Sequence, residues 1–309
     1  MGPIPINYEV INMGTNNLRS IFNAKQFIAA PGVFDLVSAK IADQTNAQAL
    51  YMTGYGTVAS YLGQPDAGLA TYSQMVDRVA AIADAIQKPL IADGDTGYGG
   101  LLNVHHTVRG YEKAGAAVIQ LEDQEIPKKC GHTPNRHVVP TEEMVSKIKV
   151  ASDARSSADF LILARTDART MFGLDEALRR AEAYVKAGAD IIFIEAPESV
   201  EEMAKIGSSF DVPLLSNQLH GGRTPILPQA QLKKMGFSLA IYPTSGLFAA
   251  SYALDSVYKS LASDASIEVP LYGFHDFAEM IGFQKIWDFE QKYAAFLAQR
   301  AVGQPVVDN

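Results

Sequence analysis

The chain's single cysteine lies in "IPKKCGHTPN" (126–135), with Lys128 and Lys129 before Cys130 and with Gly131 and His132 after it. A lone thiol is most often an inert small hydrophobe. A segment of lysines, prolines, glycine, histidine and asparagine is not core sequence, however, and nearby cations are expected to lower a thiol's pKa and raise its reactivity. There is no second cysteine for a structural zinc. A thiolate nucleophile with His132 as its base is one use of such a pair. Near neighbours in sequence rarely reach each other properly, and no esterase or protease elbow is present. A thiol that gives or takes a proton fits better.

A second set of reactive residues follows short apolar runs. "ADGDTGYGG" supplies Asp93 and Asp95, "LEDQ" supplies Glu122, "ARTD" supplies Arg165, "FIE" ends at Glu195, "LLSN" ends at Asn217 and "TGYGTVASYLGQPD" ends at Asp66. Each alone has an ordinary explanation, as a helix N-cap or a buried ion-pair partner. Gathered in one place, Asp93, Asp95, Glu122 and Glu195 would repel one another strongly without a cation among them. Oxygen donors with few histidines point to Mg²⁺, with Mn²⁺ as the variant, rather than to zinc. Because Mg²⁺ keeps several waters and takes one or two carboxylates directly, Asp93 is expected to touch the metal. Asp95, Glu122 and Glu195 would then act through its waters. The glycines of "DTGYGG" let a loop pass close to a ligand but lack the lysine of a phosphate loop.

The elements that must carry these residues are legible from a repeat. "KAGAAVIQLE" (113–122) recurs as "KAGADIIFIE" (186–195), with a weaker echo in "KKMGFSLAIY" (233–242). Each reads as a helix end, a glycine and a buried strand. Gly115, Gly188 and Gly236 fit helix C-termini, where a positive φ is cheap only for glycine. The runs are rich in Val and Ile and lack period-2 alternation, the pattern of parallel strands buried on both faces. Strands are expected near 27–31, 48–52, 89–93, 117–122, 160–165, 190–195, 213–216 and 238–242. Between them "GLDEALRRAEAYVKAG" (173–188) is the clearest helix, with Leu174, Ala177, Leu178, Ala181, Tyr184 and Val185 on one face. Eight such strands predict an α/β fold of the (β/α)₈ TIM-barrel type, whose strand C-termini converge on one functional face. An open doubly wound sheet is the alternative, weakened by the absence of a G-x-G-x-x-G after any early strand. The barrel is assigned to residues 1–260. Residues 261–309 read as a helical extension with aromatics at helical spacing, suited to an oligomer interface.

Composition closes off several classes. A net charge of −8 without a basic stripe gives no footprint for nucleic acid. The most apolar stretch, 239–258, is interrupted at Pro243, Thr244, Ser245 and Gly246, which excludes a membrane span. "MGPIPINYEV" has no leader-peptide pattern, and one cysteine suits a reducing compartment, so a cytoplasmic protein is expected.

"KKCGH" (128–132) after "LEDQ" (121–124), with "ADGDTGYG" (92–99) and "LGQPD" (62–66) upstream, resembles the isocitrate lyase/phosphoenolpyruvate mutase superfamily over roughly residues 25–295. Within it, "CGHTPNRHVVPTEEMVSKI" followed by "ARTDA" is most similar to the 2-methylisocitrate and 2,3-dimethylmalate lyases. The resemblance implies a barrel whose C-terminal helices are swapped between subunits of a homotetramer, and Mg²⁺ near Asp93 with Asp66, Asp95 and Glu122 around it. It implies that Tyr51, Thr53, Gly54 and Tyr55 line an α-keto acid product. Arg165 would grip a carboxylate, and Gly131, His132, Glu195 and Asn217 would hold the other product. Lys128 to His132 would form a gating loop whose Cys130 protonates a carbanion. The implied reaction is Mg²⁺-dependent cleavage of a 2-hydroxy di- or tricarboxylate to an α-keto acid such as pyruvate and a carboxylate. Oxaloacetate hydrolysis and phosphonate rearrangement are the neighbouring reactions. The Cys-Gly-His triplet favours the lyase, because a mutase has no carbanion to protonate. Two departures bear on substrate. Thr133 stands where methylisocitrate lyases carry Arg, and Thr244 where an apolar residue is frequent. Both lean toward a dicarboxylate, unless Arg136 or His137 compensates.

Overall fold

The computed structural model describes residues 17–133 and 136–302, apart from the side chains of 295–302. The amino-terminal decapeptide read above for a leader, and Pro134 and Asn135 of the cysteine loop, lie outside the described residues. The chain divides into a unit ending at Ser251 and a unit beginning at Tyr252.

In the first unit eight parallel strands close into a barrel in chain order. They are β1 (Ile28–Val33), β2 (Leu50–Met52), β3 (Leu90–Asp93), β4 (Val118–Glu122), β5 (Leu161–Thr166), β6 (Ile191–Ile194), β7 (Leu214–Asn217) and β8 (Leu239–Tyr242). Closure is made by β1 pairing with β8, which excludes the open doubly wound alternative. The strand faces explain the unbroken apolar runs. Side chains alternate across a strand, and both sides of this sheet are buried. Val118 joins an inner cluster with Ile91, Leu161, Leu163, Ile191 and Leu239, whereas Ile119 and Leu121 pack outward under the helices. One of the barrel's ends is sealed by the helix Leu18–Asn23. Its Leu18 and Phe22 enter the inner cluster beside Ala49, at a strand start. Burying a leucine this fully contributes about 1.5–3 kcal/mol. The opposite mouth, where the strands end, is left for polar groups.

Gly115, Gly188 and Gly236 take the positive φ expected of them, 93°, 109° and 107°. The helix Leu174–Lys186 buries Ala177, Ala181 and Tyr184 as its spacing predicts, and it also buries Arg180. The periodicity gives no reason for an arginine there. Its reason is a buried acceptor pair, Asp123 and the Val139 carbonyl.

The second unit contains the end of the helix Ser245–Ala262 and the helices Phe274–Ile281 and Phe283–Val302, joined at Gly282 with φ 102°. Several of its aromatics are exposed in the single chain, with Phe274 at 82% and Trp287 at 53%. No helix among the described residues is long and apolar enough to cross a membrane.

Candidate active site

Period-2 alternation decides which residues reach the mouth. Counting along the inner face, Ile91 is followed by Asp93, Val118 by Gln120 and Glu122, Leu163 by Arg165, Phe193 by Glu195, and Leu215 by Asn217. The β4–β5 register sets Glu122 opposite Arg165, and the β5–β6 register sets Arg165 opposite Phe193. Together they surround a cavity of about 430 Å³. Tyr51, Thr53, Tyr55, Asp66, Asp93, Glu122, Lys128, Cys130, Gly131, His132, Arg165, Glu195, Asn217 and Thr244 all line it. Gly54 and Asp95 stand just behind the lining. A Cβ at Gly54 would collide with Asp93 Oδ2.

One side of the cavity is acidic. The Asp95 amide and the Gln120 side-chain amide donate to Asp93 Oδ1 at 3.1 and 3.3 Å, and Tyr51 donates to Gln120 Oε1 at 3.2 Å. Lys128 Nζ lies 2.6 Å from both Asp66 and Asp95. Burial would lower the Lys128 ammonium's pKa, but Asp95, Asp66, Asp93 and Glu122 hold it well above the ordinary lysine value. One lysine does not neutralise this many carboxylates. Burial, then Asp93 and Asp66, push Asp95 up to about 7 despite Lys128. Burial also raises Glu122 well above the usual carboxylate range, against the pull of Arg165 and Lys128. Burial and Asp93 together raise the Tyr51 phenol.

The other side is paired. Arg165 donates from Nε and Nη2 to the two oxygens of Asp167 at 2.8 and 2.9 Å, lies 3.3 Å from Glu195 and stacks over Phe193. His132 Nε2 lies 3.3 Å from Glu195 Oε1, and Asn217 donates to Glu195 at 3.2 Å. Burial works against the Glu195 carboxylate, but Arg165 and His132 hold it down at about 2. The next residue, Ala196, adopts φ 57° and donates its amide to Glu195 Oε1 at 2.8 Å. A Cβ at Gly131 would collide with Arg165 and Glu195, so the cysteine loop can lie here only with glycine at that position.

The loop is pinned by its own flanks. The Gln124 side chain both donates to the Lys129 carbonyl and accepts from the Lys129 amide, each at 2.9 Å. Thr133 Oγ1 donates to the Cys130 carbonyl at 2.7 Å. The expectation that cations lower the Cys130 pKa is corrected. Lys128 turns away to Asp66 and Asp95, and burial raises the thiol above its ordinary 9.0, against smaller lowering by the His132 amide and Arg165. A raised pKa keeps Cys130 a thiol at neutral pH, the form that donates a proton.

Glu122 Oε1, Asn217 Oδ1 and Thr244 Oγ1 are buried without a hydrogen-bond partner, which is capacity left for a ligand. Sequence reasoning missed Gln120, Phe193 and the β7 loop, whose Arg223 amide donates to His132 Nδ1 at 3.3 Å. The period-2 phase of β4 and β6 carries the signal for the first two. Nothing local marks the third.

The acidic side suits a hard divalent cation in donor type, being all oxygen, and in the unpartnered Glu122 Oε1. No three His, Cys, Asp or Glu side chains among the described residues converge as a ready cage.

The phosphoenolpyruvate phosphomutase family model matches residues 18–262. The chain belongs to the phosphoenolpyruvate mutase/isocitrate lyase superfamily. It is 49% identical to the 2,3-dimethylmalate lyase of Eubacterium barkeri over 280 residues, 90% of this chain and 97% of that one. It is 38% identical to a 2-methylisocitrate lyase of Aeropyrum pernix over 280 residues, 90% of this chain and 89% of the relative. Like these relatives, it is a carbon–carbon lyase. Among solved structures, an oxaloacetate acetylhydrolase bound to 3,3-difluorooxalacetate superposes with a TM-score of 0.86 at 34% identity, covering 91% of this chain and 97% of that one. A phosphonopyruvate hydrolase bound to oxalate and Mg²⁺ superposes with a TM-score of 0.81 at 31% identity, covering 91% and 99%.

Proposed function

We propose that this lyase cleaves the C2–C3 bond of a 2-hydroxy dicarboxylate of the 2,3-dimethylmalate type, giving pyruvate and propanoate. The observation that carries the reading is a thiol kept protonated by burial, Cys130, on the wall of a cavity with an acidic side and a side where Arg165 is paired with buried carboxylates. The substrate's hydroxyl proton passes to a basic group of the acidic side and C2–C3 breaks, and that proton returns to the Cys130 thiolate before the next turnover. The bond's electrons pass to C3 and its carboxylate, leaving pyruvate and a strongly basic enolate. Cys130 gives its proton to that carbon, which completes propanoate and leaves a thiolate. Tyr51, Thr53, Gly54 and Tyr55 border the keto acid, while Arg165, Gly131, His132, Glu195 and Asn217 hold the departing carboxylate. Arg165 Nε and Nη2 already engage Asp167, which fixes the plane of the guanidinium beside the cavity. Lys128 to His132 act as the gate, admitting substrate and excluding water.

Asp93 would hold Mg²⁺, with Asp66, Asp95 and Glu122 around its waters and Mn²⁺ as a substitute. A bound cation supplies positive charge beside the keto acid's oxygens. The Mg²⁺ in the phosphonopyruvate hydrolase complex supports this choice.

The dicarboxylate preference rests on position 133, which is threonine rather than arginine. Thr133 turns its hydroxyl to the Cys130 carbonyl. Arg136 is committed to Asp167 and Thr170 at 2.9 and 2.7 Å, and His137 is exposed and does not line the cavity. Neither replaces the arginine that a third carboxylate would use. The exposed aromatics of the C-terminal helices support a subunit interface, and the enzyme is proposed to be a homotetramer with swapped helices that acts in the cytoplasm. The test follows, with Mg²⁺ and in parallel, pyruvate from 2,3-dimethylmalate and 2-methylisocitrate, oxalate from oxaloacetate, and pyruvate or phosphoenolpyruvate from phosphonopyruvate. The expected order puts 2,3-dimethylmalate first. Faster turnover of oxaloacetate or phosphonopyruvate would replace this reading with the hydrolase or mutase one.

A further inference from the structure

The cysteine loop and the arginine that grips substrate are tied to one buried pair of aspartates. Asp167, 1% exposed, takes Arg165 on both oxygens and also accepts from Arg136 Nη1 at 2.9 Å. Arg136 belongs to the return arm of the cysteine loop, and its Nη2 donates to Thr170 at 2.7 Å. The Asp167 amide in turn donates to Asp123 Oδ1 at 2.9 Å. Asp123, fully buried, has its Oδ2 filled by Thr166 at 2.7 Å and Tyr184 at 2.8 Å, with Arg180 at 3.2 Å. The Val139 amide donates to the Asp123 carbonyl at 2.8 Å, so the return arm is anchored twice. At the outgoing arm, Gln124 grips Lys129 next to Cys130.

These contacts share no atom with the reacting centre, yet they fix both partners of the proposed reaction to one point. Asp167 sets the rotation of the Arg165 guanidinium. Arg136, six positions after Cys130 in the chain, is bonded to the same carboxylate. We infer that Asp167 and Arg136 are positioning residues that hold Cys130 in register with Arg165, so that the thiol faces the carbon of the carboxylate Arg165 has captured. The inference rests on the lyase reading given above. It divides the two residues by effect. Without Arg136, Asp167 still orients Arg165, so substrate binds but the thiol is misplaced. Without the Asp167 carboxylate, both partners lose their reference.

The test compares Arg136→Met, Arg136→Lys and Asp167→Asn in the full-length Mg²⁺ enzyme, by steady-state kinetics and by the rate of Cys130 alkylation with iodoacetamide. Arg136→Met is expected to leave KM within about twofold, to lower kcat on the order of 10- to 100-fold, the cost of a small misplacement, and to speed alkylation. Arg136→Lys, which keeps the charge, is expected to recover part of both. Asp167→Asn is expected to raise KM as well as lower kcat. A folded Arg136→Met with wild-type kcat and wild-type alkylation overturns the inference. So does a loss confined to KM. If Arg136→Met does not fold, Arg136→Lys decides by the same two readouts, with wild-type values for both again overturning the inference. Alkylation needs no substrate, and a wild type inactive on every hydroxy acid would count against the lyase reading instead.

Discussion

The two sides of the cavity solve the burial of carboxylates in opposite ways. On the Asp93 side, Asp66, Asp93 and Asp95 crowd around Lys128, Glu122 is shared between Lys128 and Arg165, which lies 3.4 Å away, and Asp95 is driven up to about 7. On the Cys130 side, Glu195 is equally buried, but Arg165 and His132 hold it at about 2. Burying a charge is costly unless it is paired. The paired side is therefore complete as the protein stands, while the acidic side is short of positive charge. The first is suited to holding a substrate anion in a fixed place. The second is suited to a cation that arrives from solution.

The largest way to break this comparison is to withhold that cation. EDTA treatment is expected to lower turnover by about a thousandfold or more, the scale of lost charge stabilisation at a reacting centre, and added Mg²⁺ to restore it. Full activity after exhaustive chelation would mean that Lys128 and Arg165 balance the acidic side without a cation.

A sharper contrast comes from stability in EDTA across pH. The folded pKa of Asp95 lies above its ordinary 3.8. Its ionisation therefore works against the fold increasingly as pH rises from 3.8 through about 7. Asp95→Asn is expected to be more stable than wild type at pH 8, by about 1–3 kcal/mol, with the gap closing toward pH 4. The folded pKa of Glu195 lies below its ordinary 4.5. Its contribution is present above 4.5 and is lost as pH falls toward about 2. Glu195→Gln is expected to be less stable by a similar amount at pH 8, with the gap closing on acidification. Melting curves with the same sign for both variants would remove the distinction between the sides.

The smallest effect concerns the rim. Thr133→Arg supplies a cation beside the paired side and is expected to shift kcat/KM toward 2-methylisocitrate by about tenfold, the scale of one charge-assisted contact. An unchanged substrate ratio would detach Thr133 from the choice of acid.

Much of this arrangement was legible in the chain. The strands fall within two residues of the expected ends, because buried parallel strands and their glycine-capped helices have a strong local signature. Asp93, Glu122, Arg165, Glu195 and Asn217 follow from being last in each run. Side-chain direction beyond the strands was not legible. Lys128 is two residues from Cys130 but faces Asp66 and Asp95, and the turn that separates them has no periodicity. The Asp123–Asp167–Arg136 ties were invisible for a similar reason. They depend on the β4–β5 register and on a loop returning from position 136, neither of which is encoded in local spacing. Arg180, on the buried face of its helix, is likewise explained only by the distant Asp123.

The most direct measurement is the rate of pyruvate formation from 2,3-dimethylmalate, followed with a lactate dehydrogenase couple, for wild type and Cys130→Ser at equal folded concentration with Mg²⁺. Loss of the general acid is expected to slow turnover by about 10²- to 10⁴-fold, and the wild-type rate to fall only above pH 9.0, because the thiol must stay protonated and its pKa is raised. Equal rates for the two proteins would contradict the account, since the carbanion would then be receiving its proton from another group.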